Sequence, residues 1–534
     1  MPPDAATPAR PGPRWAALAA LLLAGLVVAV TVRVGTFVGT HADASGYVAE
    51  GHLWAIGRLY RPEAAQLWAT WPLATATGSP LGFRPAPGVP GTSVPVYPLG
   101  LPLMLAAAER IGGPLAVYLV VPLTAGILVL AAFRLASHLA GPLAGLLAAG
   151  LLALDPVVLF HTVNPMSDVP AAALWTTAWL IALGGTRTSA FASGWCAALA
   201  VMVRPNLVVL GVVPALSILA SGRRAARGID WRSLFAYAGA AAVGPLVVAW
   251  TQATLYGGPL TSSYPGAETF YRLDHLGANA RNYWRSFVDL YTAVPLLGLA
   301  AAAALRPRWA PGLQPRQRAI VASGLTIIAL NVLSYAFFLP YAEWTFVRFF
   351  LPAITALFVL LAAVLGWCAA WAWRDPRRRP LVAVVPMAAV LVSAHRHDLR
   401  AYALADGANQ QRILLMDHYL EAALPPRATV LCFFHSGSIA DATGREVIRL
   451  DLVPPASLDA VVDELTRAGV PVAFAIDRVL EERQFQALFA PSRYGALDWA
   501  PRAEFAGTGA IRYYLAADRD RYLAGARWPV DVLR

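Results

Sequence analysis

The stretch from Trp15 to Tyr47, WAALAALLLAGLVVAVTVRVGTFVGTHADASGY, decides the fold. Its apolar run, Trp15 to Val32, is long enough to cross a bilayer. It is also longer than the apolar region of about 7–15 residues in a cleaved leader. Ala42-Asp43-Ala44 mimics a cleavage site but lies well beyond the run. The run is therefore expected to remain as a first transmembrane helix. Its N-terminus, which carries Arg10 and Arg14, is placed in the cytoplasm. Asp43 then stands where the chain emerges on the other side.

The rest of the chain has the same character. Of 534 residues, 58% are apolar and only 14% are charged, against roughly 25% charged in ordinary soluble domains. Mean hydropathy is +0.55. So much apolar sequence does not fit inside soluble cores, and most of the chain is expected to be membrane-embedded. Disordered, coiled-coil and disulfide-scaffold classes are excluded. Cys196, Cys368 and Cys432 are too few and too scattered for a disulfide framework or a zinc site. The net charge is +11, and every basic residue is Arg, as a GC-rich genome produces. In such a chain basicity points to loops facing anionic lipid, not to nucleic acid.

After the first span, apolar helical segments fall at 114–133, 141–160, 169–184, 189–203, 205–220, 234–256, 287–305, 319–339, 347–373 and 380–395. The run 98–110 is too short to cross comfortably. Leaving it out gives about eleven spans and turns three Arg-rich loops to the cytoplasm: Arg223 to Arg232, Arg306 to Arg318 and Arg374 to Arg379. The segment 98–110 is then a re-entrant or interfacial helix on the outer side. Residues 1–395 form the multi-span membrane domain, with a large first outer loop at 37–97. Residues 396–534 form a small soluble extracytoplasmic α/β domain, with strands at 429–434, 446–450 and 471–476 alternating with helices. Ser457 is placed to cap the helix that runs to Gly469. No G-x-G-x-x-G is present, so no nucleotide cofactor is expected. Walker A, G-x-S-x-G and H-E-x-x-H motifs are also missing. His395-Arg396-His397-Asp398 reads as a solvated junction.

Polar groups beside a bilayer are costly and call for a reason. By the span count four sets lie on the outer side: His41 to Tyr47 around Asp43, Asn164 to Pro170 around Asp168, Arg204-Pro205, and Tyr341 to Pro352 around Glu343 and Arg348. Asp43 also reads as a helix-end acid, Ser167 and Asp168 as caps of the next helix, and Arg204 as a snorkelling side chain. The chemical alternative is a general base and two anion clamps at one water-facing cavity. Aromatic loops at 37–97, with Arg84, and at 257–286 suit sugar or head-group contact and suit interface anchoring equally.

In order of features the chain resembles the GT-C superfamily of integral-membrane glycosyltransferases, in the branch of protein O-mannosyltransferases and the lipid A aminoarabinose transferase. One span is followed by an outer loop opening on an acid, Asp43-Ala44-Ser45-Gly46-Tyr47. Then come Tyr97-Pro98-Leu99-Gly100 before a short helix, Ser167-Asp168, Arg204-Pro205, Arg348-Phe349-Phe350-Leu351-Pro352 and an outer soluble domain. The paired acids and the second tyrosine-motif proline common in that family are absent; the next acid after Asp43 is Glu50, and Leu99 stands in the proline's place. The resemblance implies a polyprenyl-phosphate-linked sugar as donor at the outer face of the cell membrane. The acceptor would be a glycan, a lipid or a protein. Asp43 would be the catalytic base, and Asp168 would support the acceptor, the site's fold or a metal. Arg204 and Arg348 would hold the leaving phosphate, with Tyr97, Glu343 and Arg84 as further binding residues. A divalent cation is admitted as a cofactor, but no metal-ligating set is assigned. The competing classes are a lipid-linked glycan transporter or flippase, which would place charges near the midplane and show repeats, and a non-catalytic lipid-binding membrane protein.

Overall fold

The computed structural model describes residues 14–222, 230–264, 266–306, 312–372, 399–507 and 509–534. Every apolar segment expected within these residues is helical, and the chain is an integral multi-pass membrane protein. The span expected at 380–395 and the His395–Asp398 junction lie outside the described residues, as do most of the Arg-rich loops. Among the described residues five helices can cross a bilayer by length and composition: Arg14–Val34, Pro114–Ala140, Trp231–Tyr256, Pro315–Ala336 and Trp344–Ala372. Two bent pairs raise the number to seven, against the ten expected from apolar runs within these residues. The difference has a local cause. Asp168–Ala182, Arg187–Val203 and Pro205–Ala220 are short helices. The run 141–160 is bent by 54° between Pro142–Ala153 and Pro156–Val163. At that bend the Asp155 carboxylate accepts the N–H groups of Val157 and Val158 at 2.7 and 2.9 Å. Pro156 sits in the first turn, where its missing N–H costs nothing.

One large apolar core joins these helices, and its centre is the helix Leu351–Ala372, buried on nearly every side through Ala363. The segment after Pro98 forms the helix Gly100–Gly112. Its first glycine lies against the end of the helix Arg187–Val203: a Cβ on Gly100 would meet the Val203 nitrogen at 2.3 Å. Only glycine allows that approach, and the segment before it carries Tyr97 into the wall of a cavity that Arg204 also lines.

The first loop is folded. Thr40 is followed by the helix His41–Ala55. A three-stranded antiparallel sheet comes next, with Thr92–Pro95 between Arg61–Pro62 and Phe83–Pro85. Residues 429–533 build a six-stranded mixed sheet in the order Glu446–Arg449, Thr429–Cys432, Val472–Asp477, Ala510–Leu515, Ala503–Ala506, Asp531–Leu533. The first three strands are parallel, with Val430 opposite Val447 and Ala473, and each face carries its own apolar core. Ser457 stands at the N-cap of Leu458–Arg467 without a side-chain capping bond.

The loop and the sheet unit are clamped together. His52 Nδ1 is 2.9 Å from Asp441, and Ser436 Oγ accepts the Leu81 N–H at 3.1 Å. Glu446 accepts the N–H groups of Ala64 and Ala65, and Glu464 accepts the N–H and hydroxyl of Thr70. The His52 imidazole is half-buried. Burial opposes its charge, but the Asp441 bond and charge and the nearby Glu109 outweigh it, so its pKa is raised.

Candidate active site

Four charged side chains that are far apart in sequence meet at one cavity of about 600 Å³. Asp43 lies in the first turn of His41–Ala55. Its Oδ1 accepts the Tyr97 hydroxyl at 2.9 Å, and its Oδ2 accepts Arg348 Nη2 at 2.9 Å. Its side chain is 36% exposed, whereas that of Asp168 is 2% exposed. Asp168 receives a hydrogen bond from Arg204 Nη1 on one oxygen, and Arg348 Nε stands 3.9 Å from the other. Arg348 thus bridges the two carboxylates, as the planar fork of a guanidinium allows and a Lys ammonium does not.

Local chemistry sets each position. Arg204 precedes Pro205, which disfavours helix for the residue before it; its φ of −142° and ψ of 89° end the helix there. Arg348 rides on a tight 3₁₀ turn, Trp344–Phe350, that leads into Leu351–Ala372. The capping roles open to Ser167 and Asp168 are not taken up. Ser167 is at the N-cap position but makes no capping bond. Its Oγ accepts the Tyr47 hydroxyl at 3.0 Å, while Asp168 goes to Arg204. Asn164 accepts from Thr40 at 3.0 Å and ties the start of the Asp43 helix to the Asp168 loop.

The tyrosine pair is packed without slack. The Tyr47 and Tyr97 rings pack with centroids 4.6 Å apart, tilted by 35°. A Cβ on Gly46 would fall 2.2 Å from a Tyr97 ring carbon and 2.9 Å from the Gly82 Cα. Burial and the neighbouring Asp43 carboxylate push the Tyr97 phenol well up, so it donates as a neutral group. Both guanidiniums stand over the Phe349 ring, Arg204 at 5.2 Å and Arg348 at 5.3 Å. That contact holds a cation without using its hydrogen-bond donors.

The sequence-predicted residues Asp43, Asp168, Arg204, Arg348 and Tyr97 all line the cavity. Arg84 and Glu343 do not. Arg84 stacks on Tyr256 at 4.4 Å and donates to the Ser263 carbonyl at 3.1 Å, so it fastens the 257–275 segment to the first loop. Glu343 is exposed at the start of the Arg348 turn. Tyr264, from the aromatic loop suited equally to sugar contact and interface anchoring, also lines the cavity; sequence reasoning assigned no role to Tyr47, Asn206, Tyr335 or His161. Tyr47 lies four residues after Asp43, one turn along the same helix face, and that spacing was a usable signal. The others sit in apolar or aromatic runs that carry none. His161 is buried and its Nε2 bonds the Thr345 carbonyl at 3.0 Å, in the turn that carries Arg348.

A divalent cation does not fit these residues. Both carboxylates already face guanidiniums, and among the described residues no group of three or more His, Cys, Asp or Glu side chains could hold a metal.

No protein-family model matches the chain, and no curated protein matches it by sequence. Solved structures do match it. ArnT from Cupriavidus metallidurans bound to undecaprenyl phosphate aligns with a TM-score of 0.55 at 12% identity, covering 93% of this chain and 98% of that one. The archaeal oligosaccharyltransferase AglB from Archaeoglobus fulgidus, in complex with an inhibitory peptide and a dolichol-phosphate, aligns at 0.50 and 11% identity. It covers 92% of this chain and 74% of its own. A variant of the arabinofuranosyltransferase AftD from Mycobacteria aligns at 0.50 and 16% identity, over 96% of this chain and 42% of that one. The chain therefore shares the fold of these membrane proteins along nearly its whole length.

Proposed function

We propose that the chain is a glycosyltransferase that moves a sugar from a polyprenyl-phosphate-linked donor to an acceptor hydroxyl on the outer face of the membrane. The observation that carries this proposal is a half-exposed Asp43 carboxylate facing a large cavity between a phenol and a guanidinium. In this reading residues 1–395 are the membrane domain, 396–534 an extracytoplasmic domain, and the N-terminus is cytoplasmic. The lipids named with the structural neighbours, undecaprenyl phosphate and dolichol-phosphate, support a lipid-phosphate donor here.

The reaction follows from the four charges. The donor's phosphodiester enters as an anion and draws Arg348 toward itself. Arg204 still neutralises Asp168, so the carboxylate released is Asp43. Asp43 takes the proton of the acceptor hydroxyl, for which a positioned and partly desolvated carboxylate is suited. The acceptor oxygen bonds to the anomeric carbon through an oxocarbenium-like state. The bond from that carbon to the phosphate oxygen breaks, and its electron pair leaves on the polyprenyl phosphate. Arg348 and Arg204 stabilise that growing charge, an effect of about 2–4 kcal/mol per preorganised donor. No step is routed through a metal.

The test is release of polyprenyl phosphate by purified protein in nanodiscs, from a panel of lipid-linked sugars with candidate acceptors present. Release from a donor is expected to disappear in Asp43→Asn with the fold intact. Near-normal turnover by that variant sinks the base assignment.

A further inference from the structure

Among the described residues only four side chains in the cavity wall carry formal charge: Asp43, Asp168, Arg204 and Arg348. They cancel, and each carboxylate already has a guanidinium. The rest of the wall is uncharged: aromatic and hydroxyl-bearing side chains, with Tyr97, Tyr264, Tyr271 and Tyr341 among them, the amides of Asn206 and Gln252, and aliphatic groups such as Leu99 and Val248. The nearest further acid on the Asp43 helix is Glu50. It is 1% exposed and outside the wall, and burial raises its pKa well above the usual carboxylate range, which favours the neutral acid. Glu343 is exposed outside the cavity.

These charges treat the two ends of a donor differently. A phosphate finds two guanidiniums. A sugar ring finds aromatic faces for its C–H bonds and amides and phenols for its hydroxyls. An ammonium group on the sugar finds no unpaired carboxylate. The one carboxylate that the phosphate frees is Asp43, and an ammonium paired with it would hold back the base that the reaction needs. We infer that the donor's sugar is uncharged and that the cavity rejects the corresponding amino sugar. This rests on the lipid-linked transfer proposed above and specifies its substrate class.

The experiment uses the full-length protein in nanodiscs at pH 6.5, where a sugar amine is protonated. Matched polyprenyl monophosphates are offered in a hexose and a pentose series. Each series has a hydroxyl, a free amine or an acetylated amine at the same carbon. The acetylated member keeps the nitrogen, removes the charge and adds an acetyl group's bulk. In the series that turns over, the hydroxyl donor is expected to exceed the free amine in kcat/KM by about 100-fold, because an ammonium paired with Asp43 withholds the general base. The acetylated donor is expected to recover at least about tenfold of that loss. A hydroxyl-to-amine ratio below tenfold, or an acetylated donor no better than the amine, overturns the inference and leaves lipid-linked transfer standing. No polyprenyl phosphate release from any donor, by protein with an unchanged thermal melt, overturns the proposed function and the inference with it.

Discussion

Replacing Arg348 by Gln tests the bridge between the two carboxylates. Arg348 reaches Asp43 through Nη2 at 2.9 Å and stands 3.9 Å from Asp168 through Nε. A unit charge pair about 4 Å apart at an effective dielectric near 20 interacts by about 4 kcal/mol. Solvent screening lowers that figure for Asp43, whose side chain is 36% exposed. Arg204 still neutralises Asp168, so the fold is expected to survive with little change in the thermal melt. The larger loss is in the reaction. The four wall charges change from neutral to one net negative, and the leaving phosphate loses a donor worth about 2–4 kcal/mol. At about 1.4 kcal/mol per tenfold, kcat/KM should fall by about 30- to 1000-fold. Arg348→Lys keeps the charge but reaches only one carboxylate, so it should recover about a tenth of wild-type activity. The assay is initial-rate release of polyprenyl phosphate, with melts on the same preparations. Arg348→Gln within threefold of wild type, in folded protein, would refute the assignment of Arg348 to the leaving group.

Three further outcomes are expected. Gly46→Ala places a Cβ against the Tyr97 ring and the Gly82 backbone; overpacking of this kind costs about 1–3 kcal/mol, so a lowered melt and a displaced Tyr97, read as lost turnover, should appear together. His161→Phe removes the donor to the Thr345 carbonyl and leaves that part-buried acceptor bare, a penalty of about 1 kcal/mol; kcat should fall about tenfold, with partial recovery in His161→Gln, and equal activity in the two variants would count against a positioning role. Burial pushes the Asp417 carboxyl up to about 8, against the Ser438 hydrogen bond. A raised acid contributes stability that is fully present below its unfolded value near 3.8 and is lost as pH rises through about 8. Asp417→Asn should therefore flatten the melt-versus-pH curve between those limits, and an unchanged slope would show that Asp417 does not set it.

How much of the fold and the site is legible in the sequence depends on what each signal costs the chain. Charges at the ends of apolar runs are expensive, so Asp43, Asp168, Arg204 and Arg348 stand out from the residues around them. Hydropathy locates the helices but not their number as spans, because it does not register a 54° bend or a 3₁₀ stretch such as Val294–Leu305. Tyr264 and Tyr335 are not legible, because an aromatic that lines a cavity and one that anchors in head groups have the same composition. Arg84 is visible as an unusual residue, yet its fastening of the 257–275 segment depends on a backbone carbonyl far along the chain. The first three strands of the sheet are buried apolar runs and can be read. Ala503–Ala506 and Asp531–Leu533 alternate weakly and owe their pairing to neighbours already in place.

The clamp between the first loop and the sheet unit sets an order of assembly. Its hydrogen bonds join residues made at opposite times: His52 and Asp441 are 389 positions apart, Ala64 and Glu446 382, and Thr70 and Glu464 394. At about 5–20 residues per second, the loop waits roughly 20–80 seconds for its partners. Until then the far end of the Asp43 helix has Arg110 on its Ala55 carbonyl but lacks the His52–Asp441 bond, and the spacing of Asp43 from Arg348 depends on that helix. A nascent chain that has not reached Thr429 already contains all four charged wall residues. It should not yet hold them at working distances, so the site matures only when the final strands are in place.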